Sequence, residues 1–296
     1  MKKLILILIS LLMFTGCVSE GKTDINNKDE VIYTIGDDKL VREDIYNLML
    51  SQVGYAAVLD NALKFIYEKE VVLDENDNKK IEEEFNEMKA NYNAMWEDIL
   101  LQSGFADEQA FKDTIIERKK EEKLNSKFVT EKFDHYTSLY NPKYIQYMTF
   151  TDIETAEKAL ADIKAGVDFK EVATTHSASG NKEEHVYTNV TSLPFDIKTF
   201  IDVATGPITS EIIANVEPAT PETSTSPATE EKTTYYIVNV IDTDNNNFKD
   251  EFISAVGEIQ ETTDEMLKHY YDLYNFKVYN EEIKSYIDGI NPGFLD

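Results

Sequence analysis

Hydrophobic spacing changes period twice along this chain, and those two changes constrain its fold more than any other feature. Between residues 42 and 140 apolar side chains recur every three or four positions, the spacing that gathers them on one face of an α-helix. Ile45, Leu48, Met49 and Val53 share one such face, and Gly54 is placed to end that helix. Leu59, Leu63 and Ile66 point inward from a second helix over 56–67. From residue 78, Ile81, Phe85, Met88, Tyr92 and Met95 form a narrow apolar stripe on a long charged helix, which Gly104 closes. Asp107 suits the N-cap of a fourth helix carrying Phe111, Ile115, Leu124 and Phe128. Ahead of these, the β-branched and aromatic run 31–35 and the turn residues Gly36-Asp37-Asp38 predict a small hairpin.

At Asn141-Pro142 the pattern becomes mixed. Residues 144–150 predict a strand, and 154–164 a helix with Ala156, Ala159, Leu160 and Ile163 on one side, closed by Gly166. A short helix over 169–174 follows, with strands at Ile212-Ile213 and 235–241. Between those strands, 217–232 holds three Pro, four Thr and two Ser, a composition that predicts a disordered loop. Helix returns from Phe248, with Phe252, Val256 and Ile259 and later Met266, Tyr270 and Leu273 facing inward. A short strand over 276–279 and a helix over 281–287 close the chain. The fold class is therefore α+β. A mainly helical domain made of 31–140 and 243–296 is interrupted by an inserted α+β domain at 141–242.

Charge excludes several functions. The 296 residues hold 29 Lys+Arg against 56 Asp+Glu, a formal charge of −27. Nothing in that balance would neutralise phosphates, so nucleic acid is not a partner. It equally disfavours electrostatic adhesion to an anionic membrane surface. One cysteine rules out a disulfide framework, and four scattered histidines leave little material for a metal centre. The acidic runs at 74–77 and 82–84 lack EF-hand spacing and belong to solvated helix faces. No P-loop, dinucleotide fingerprint or nucleophile elbow is present, so no cofactor and no metal are expected. The lone Trp96 is a core residue beside Met95 or Ile99. His176 and His185 lie in a polar, turn-rich stretch and are expected at the surface.

The N-terminus sets the compartment. Lys2 and Lys3 precede an apolar run over 4–14 that ends in Phe14-Thr15-Gly16-Cys17. Eleven helical residues cover roughly 16 Å, about half a bilayer's hydrocarbon core, so this run does not span. A basic start, a short apolar core and small residues before a cleavage point make a secretory signal. Thr15-Gly16 before the only cysteine resembles the lipobox of bacterial lipoproteins, which implies cleavage after residue 16 and acylation of Cys17. Phe14 departs from the leucine usual there. Residues 17–30 are then a flexible tether on the extracytoplasmic face of a bacterial cell membrane.

Several pieces, in order, resemble the PrsA-like foldases, relatives of the SurA chaperone. The hairpin-then-helix opening at 31–46 and Ser103-Gly104-Phe105 with Glu108 and Phe111 are similar to that family's start and helix junction. The stretch 144–165, followed by Gly166-Val167-Asp168-Phe169-Lys170-Glu171-Val172-Ala173, resembles the opening of a parvulin prolyl isomerase domain. Leu193-Pro194, Gly206-Pro207-Ile208-Thr209 and 235–242 resemble its later helix, exit turn and closing strand, and 274–278 the strand that ends these foldases. The resemblance implies a membrane-anchored foldase acting on unfolded or newly secreted proteins, and leaves a homodimer open. It also exposes departures. A parvulin carries one histidine on its first strand and another on its last. Here the first falls at Gln146 or Tyr147 and the second at Tyr236, while the glycine-rich stretch between is replaced by 177–187. Prolyl isomerisation needs a pocket that favours a twisted amide against a barrier of about 18–20 kcal/mol. With those histidines replaced, a foldase whose isomerase activity is weak or lost is the first reading. An active isomerase with an unorthodox pocket and a lipoprotein module for one dedicated partner are the alternatives.

Overall fold

The structure, a computed structural model, describes residues 25–176, 178–180, 182–219, 230–290 and 292–295. The signal segment 1–16, Cys17 and most of the tether lie outside the described residues, as does 220–229 of the Thr/Pro-rich segment. Contacts divide the chain into two units, Met1–Lys120 with Asp264–Asp296, and Glu121–Thr263. The second unit therefore takes in 121–140 and 243–263, which the sequence pattern assigned to the helical domain. Packing explains the difference. The Phe133 ring lies 5.6 Å from that of Phe252, and the hydroxyls of Tyr140 and Thr262 are 3.0 Å apart. The rings of Tyr144 and Phe248 stack at 5.4 Å.

In the first unit, β1 (Val31–Ile35) and β2 (Asp38–Val41) pair antiparallel around Gly36, whose φ of 59° suits a residue without a Cβ. Helix α1 (Arg42–Met49) does not stop at Gly54. It passes through a π-helical turn, Leu50–Gly54, into α2 (Tyr55–Glu70). Gly54 keeps a helical φ of −59°, and a Cβ there would meet the Leu50 side chain at 2.9 Å. Here the glycine permits close packing instead of ending the helix.

The long charged helix is likewise divided. Helix α3 (Glu75–Tyr92) ends at Asn93, whose φ of 46° is a conformation asparagine tolerates better than most residues. A 3₁₀ turn, Asn93–Met95, then leads into α4 (Trp96–Gln102). The break turns Met95 outward and Trp96 inward. Trp96 packs against Phe85 and Phe111, at ring distances of 5.9 and 5.1 Å, while Met95 is 60% exposed. Helix α5 (Glu108–Glu131) starts where Asp107 accepts a hydrogen bond from the Ala110 amide at 2.8 Å. Ile81, Phe85, Trp96, Leu100 and Ile115 form the core of this part. The acidic runs serve structure. Asp74 and Asp77 accept each other's backbone N–H at 2.9 Å to cap α3, and Glu82 and Glu84 pair with Lys112 and Arg118.

The second unit continues with α6 (Phe133–Tyr140), β3 (Lys143–Phe150), α7 (Ile153–Lys164), α8 (Phe169–Thr175), β4 (His185–Tyr187) and α9 (Phe195–Asp202). Then come β5 (Ile208–Thr209), β6 (Ile213–Glu217), β7 (Lys232–Asp242) and α10 (Lys249–Gly257). The strands form one antiparallel sheet in the order β4-β3-β7-β5, with β6 also pairing on β7. Strand alternation sorts its side chains. Met148, Phe150 and Ile237 bury against α7 and α8 on one face. Ile145, Val238 and Val240 bury against Ile197 and Ile201 of α9 on the other. Glu217 and Lys232, expected as the ends of a loop, are instead paired rungs of the β6–β7 hairpin.

Helix α11 (Gln260–Leu273) carries the chain from the second unit back into the first, where α12 (Glu281–Ile290) closes it. Met266 and Tyr270 are buried as their spacing predicts, but Leu273 is 59% exposed. The strand expected at 276–279 does not form. The Phe276 amide donates to the Tyr271 carbonyl at 2.9 Å, and among the described residues no strand pairs with this stretch. No described helix is long and apolar enough to cross a membrane.

Candidate functional site

The pairing of β3 with β7 settles which first-strand residue faces the site. Tyr147 lies opposite Val238, and Thr149 opposite Tyr236. Tyr147 and Tyr236 are thus diagonal neighbours on one face, the α9 face, within reach of aromatic side chains. Gln146 points the other way, lies opposite Asn239 and is 8% exposed. Of the three positions that resembled parvulin histidines, the fold brings together Tyr147 and Tyr236 and leaves Gln146 out.

Their rings are 6.2 Å apart with planes inclined by 34°. A third ring completes the row. His185 pairs with Ile145 across β4 and β3, which sets it diagonal to Tyr147, and the two rings are 5.9 Å apart. The expectation that His185 and His176 are surface residues is corrected on both counts. His185 belongs to a strand, and the β-branched and aromatic pair Val186-Tyr187 beside it is the signal that could have shown it. The His176 side chain is 15% exposed, with Nε2 2.7 Å from Oδ2 of Asp162.

Burial governs the chemistry of the row. It lowers the His185 pKa below the ordinary 6.5, only partly offset by the hydrogen bond between Nδ1 and the Glu183 carbonyl at 3.0 Å. That bond makes Nδ1 the donor and leaves Nε2 an acceptor in the neutral ring. Burial also raises the Tyr236 pKa, with Tyr147 and Glu217 adding to it, so Tyr236 keeps its proton at neutral pH. Tyr187, at the foot of the same face, donates its hydroxyl to Asp202 at 2.9 Å and titrates well above its usual range.

Segment 178–180 closes the row from the side. Thr149 and Ser179 exchange backbone hydrogen bonds at 2.8 and 3.0 Å. This bridge sets Gly180 against Tyr147, where a Cβ would come within 3.0 Å of the ring. Leu193, Phe200 and Ile213 pack around the cluster, half-buried. The row can stack on a planar or ring-shaped group and offer hydroxyl hydrogen bonds. His185 and Tyr236 carry no charge at neutral pH.

A helical unit drawn from both ends of the chain, with an antiparallel sheet unit flanked by helices, defines an α+β protein of two units. No family model matches it. In sequence the chain is PrsA-like: it is 26% identical over 162 residues to the foldase protein PrsA of Geobacillus sp. (strain WCH70). That match takes in 53% of this chain and 56% of the relative, so the chain spans little more than half the relative's length. It is 24% identical over 230 residues to the foldase protein PrsA of Streptococcus equi subsp. zooepidemicus (strain H70), covering 74% of this chain and 68% of that protein. A solved structure, the peptidylprolyl isomerase PrsA of Bacillus cereus, aligns with 89% of this chain and 99% of its own at 14% identity and a TM-score of 0.45.

Proposed function

We propose that this chain is a foldase on the outer face of a bacterial membrane, anchored by lipid on Cys17, that holds unfolded secreted proteins and has little or no prolyl isomerase activity. One observation carries the last part. The rings of Tyr147 and Tyr236, at the positions that resemble those of the parvulin histidines, lie 6.2 Å apart, and a phenol is bulkier than an imidazole, which supports a pocket with less room for a proline ring. The holding activity belongs to the helical part of the chain, where apolar surface is open between helices. The acidic surface, at −27, keeps loaded complexes soluble. His185 favours a second reading, an active isomerase that uses this histidine beside Tyr147.

Two assays on one preparation separate these readings: isomerisation of a short Xaa-Pro peptide, and suppression of aggregation of an unfolded client. The first reading expects suppression with isomerisation more than about tenfold below an active parvulin, a barrier difference near 1.4 kcal/mol. Isomerisation within that range, abolished by His185→Ala or Tyr236→Ala, would establish the second reading.

A further inference from the structure

The first unit carries an apolar groove of about 450 Å³ between α2 and the end of α11. This volume lies within the roughly 300–1,000 Å³ typical of ligand pockets. Ala57 and Ala62 open it, because small side chains leave room on the face of α2 where larger ones would fill it. Phe65, Tyr271, Tyr274 and Phe276 wall it, with Phe65 and Tyr274 edge to face at 5.4 Å and Tyr271 and Phe276 at 4.8 Å. Phe65 is 48% exposed, whereas Tyr271 beneath is 2% exposed.

The rim is acidic. Tyr274 donates its hydroxyl to Glu70. Asp60 lies close enough to Tyr271 to add to the effect of burial, and the two together push that phenol up to about 12. A cation already rests at the groove's edge, with Lys69 Nζ 5.5 Å from the centre of the Phe65 ring. The outer face of Phe65 therefore accepts positive charge.

We propose that this groove binds unfolded client segments in which an aromatic or leucine-like side chain is flanked by lysine or arginine. The inference rests on the foldase reading and names the substrate class it takes. The apolar side chain enters between α2 and Tyr274. The flanking cations meet Asp60 and Glu70 and compete with Lys69 for the face of Phe65. Charge complementarity selects this occupant, because a segment flanked by carboxylates would face both the rim and a chain of net charge −27.

The test is fluorescence anisotropy of the full chain with two labelled peptides, Phe-Leu between lysines and the same pair between glutamates. The lysine probe should bind at least tenfold more tightly at low salt, with the ratio shrinking as salt rises. Ala62→Trp should weaken that binding at least tenfold. Phe65→Ser, at an exposed position, repeats the test should Ala62→Trp fail to melt cooperatively. Asp60→Asn with Glu70→Gln should shrink the preference for lysine at least about threefold, leaving only the part due to the net charge of the chain. Equal affinity for the two probes, or unchanged binding by a folded groove variant, would overturn the proposal. So would a dimer in sedimentation that Ala62→Trp dissolves, since the occupant would then be a second copy. Client aggregation separates the two levels. Suppression without probe binding sinks the groove and spares the foldase reading. Probe binding without suppression sinks the foldase reading and supports the groove's peptide chemistry.

Discussion

Gly180 shows how one atom can position a site. Its φ of +95° is rare for side-chain-bearing residues, and an added Cβ would press on the Tyr147 ring and carbonyl at 3.0 Å. Gly180→Ala should cost about 1–3 kcal/mol in urea unfolding. It should also shift the Tyr147 ring resonances in NMR spectra, a displacement that a cost confined to the turn would not produce. His185 gives a pH dependence whose sign follows from its burial. Its folded pKa lies below the unfolded 6.5, so the unfolded chain takes up the proton first as pH falls. The stability of the neutral buried ring is present above about pH 6.5 and declines as pH drops through that value toward the folded pKa. The melting temperature should therefore fall more between pH 7.5 and pH 5.5 for the unaltered chain than for His185→Gln. Equal falls would show that His185 is not the titrating group.

At the scale of elements, caps and turns decide where helices begin and end. Asp168 accepts hydrogen bonds from the amides of Lys170 and Glu171 at 3.0 and 3.1 Å, which satisfies two donors in the first turn of α8. Asp168→Ala should cost about 1 kcal/mol, read from the denaturation midpoint at unchanged slope. Asp168→Asn, which keeps a carbonyl acceptor, should recover most of it. Cap residues of this kind are legible because they act within three positions. Gly54 and Asn93 are not. Both look like ordinary helix residues or ordinary stops until the neighbouring packing is known, and the roles they take are a close contact with Leu50 and a left-handed break that buries Trp96.

For the whole molecule, the divisions at Lys120/Glu121 and Thr263/Asp264 make a prediction about autonomous folding. Phe128, Tyr136, Phe248, Phe252 and Val256, all 2% exposed or less, come from the segments flanking 141–242. A fragment of residues 121–263 should melt cooperatively. It should exceed a 141–242 fragment in stability by at least about 3 kcal/mol, since each large buried apolar side chain contributes about 1.5–3 kcal/mol. Equal stabilities would place the boundary nearer 141 and 242.

The pattern of apolar residues by itself determined the α+β class, most helices, the strands β3 and β7 and the change of grammar at Pro142, because each depends on a period repeated over neighbouring residues. Only the tertiary structure decided what depends on residues far apart in the chain. The register of β3 against β7 separates Tyr147 from Gln146, and a one-residue slip would exchange their faces. His185 joins the row through pairing with Ile145, forty positions away. The strand expected at 276–279 had the right residues and found no partner. A ladder needs two strands, and sequence pattern describes only one at a time.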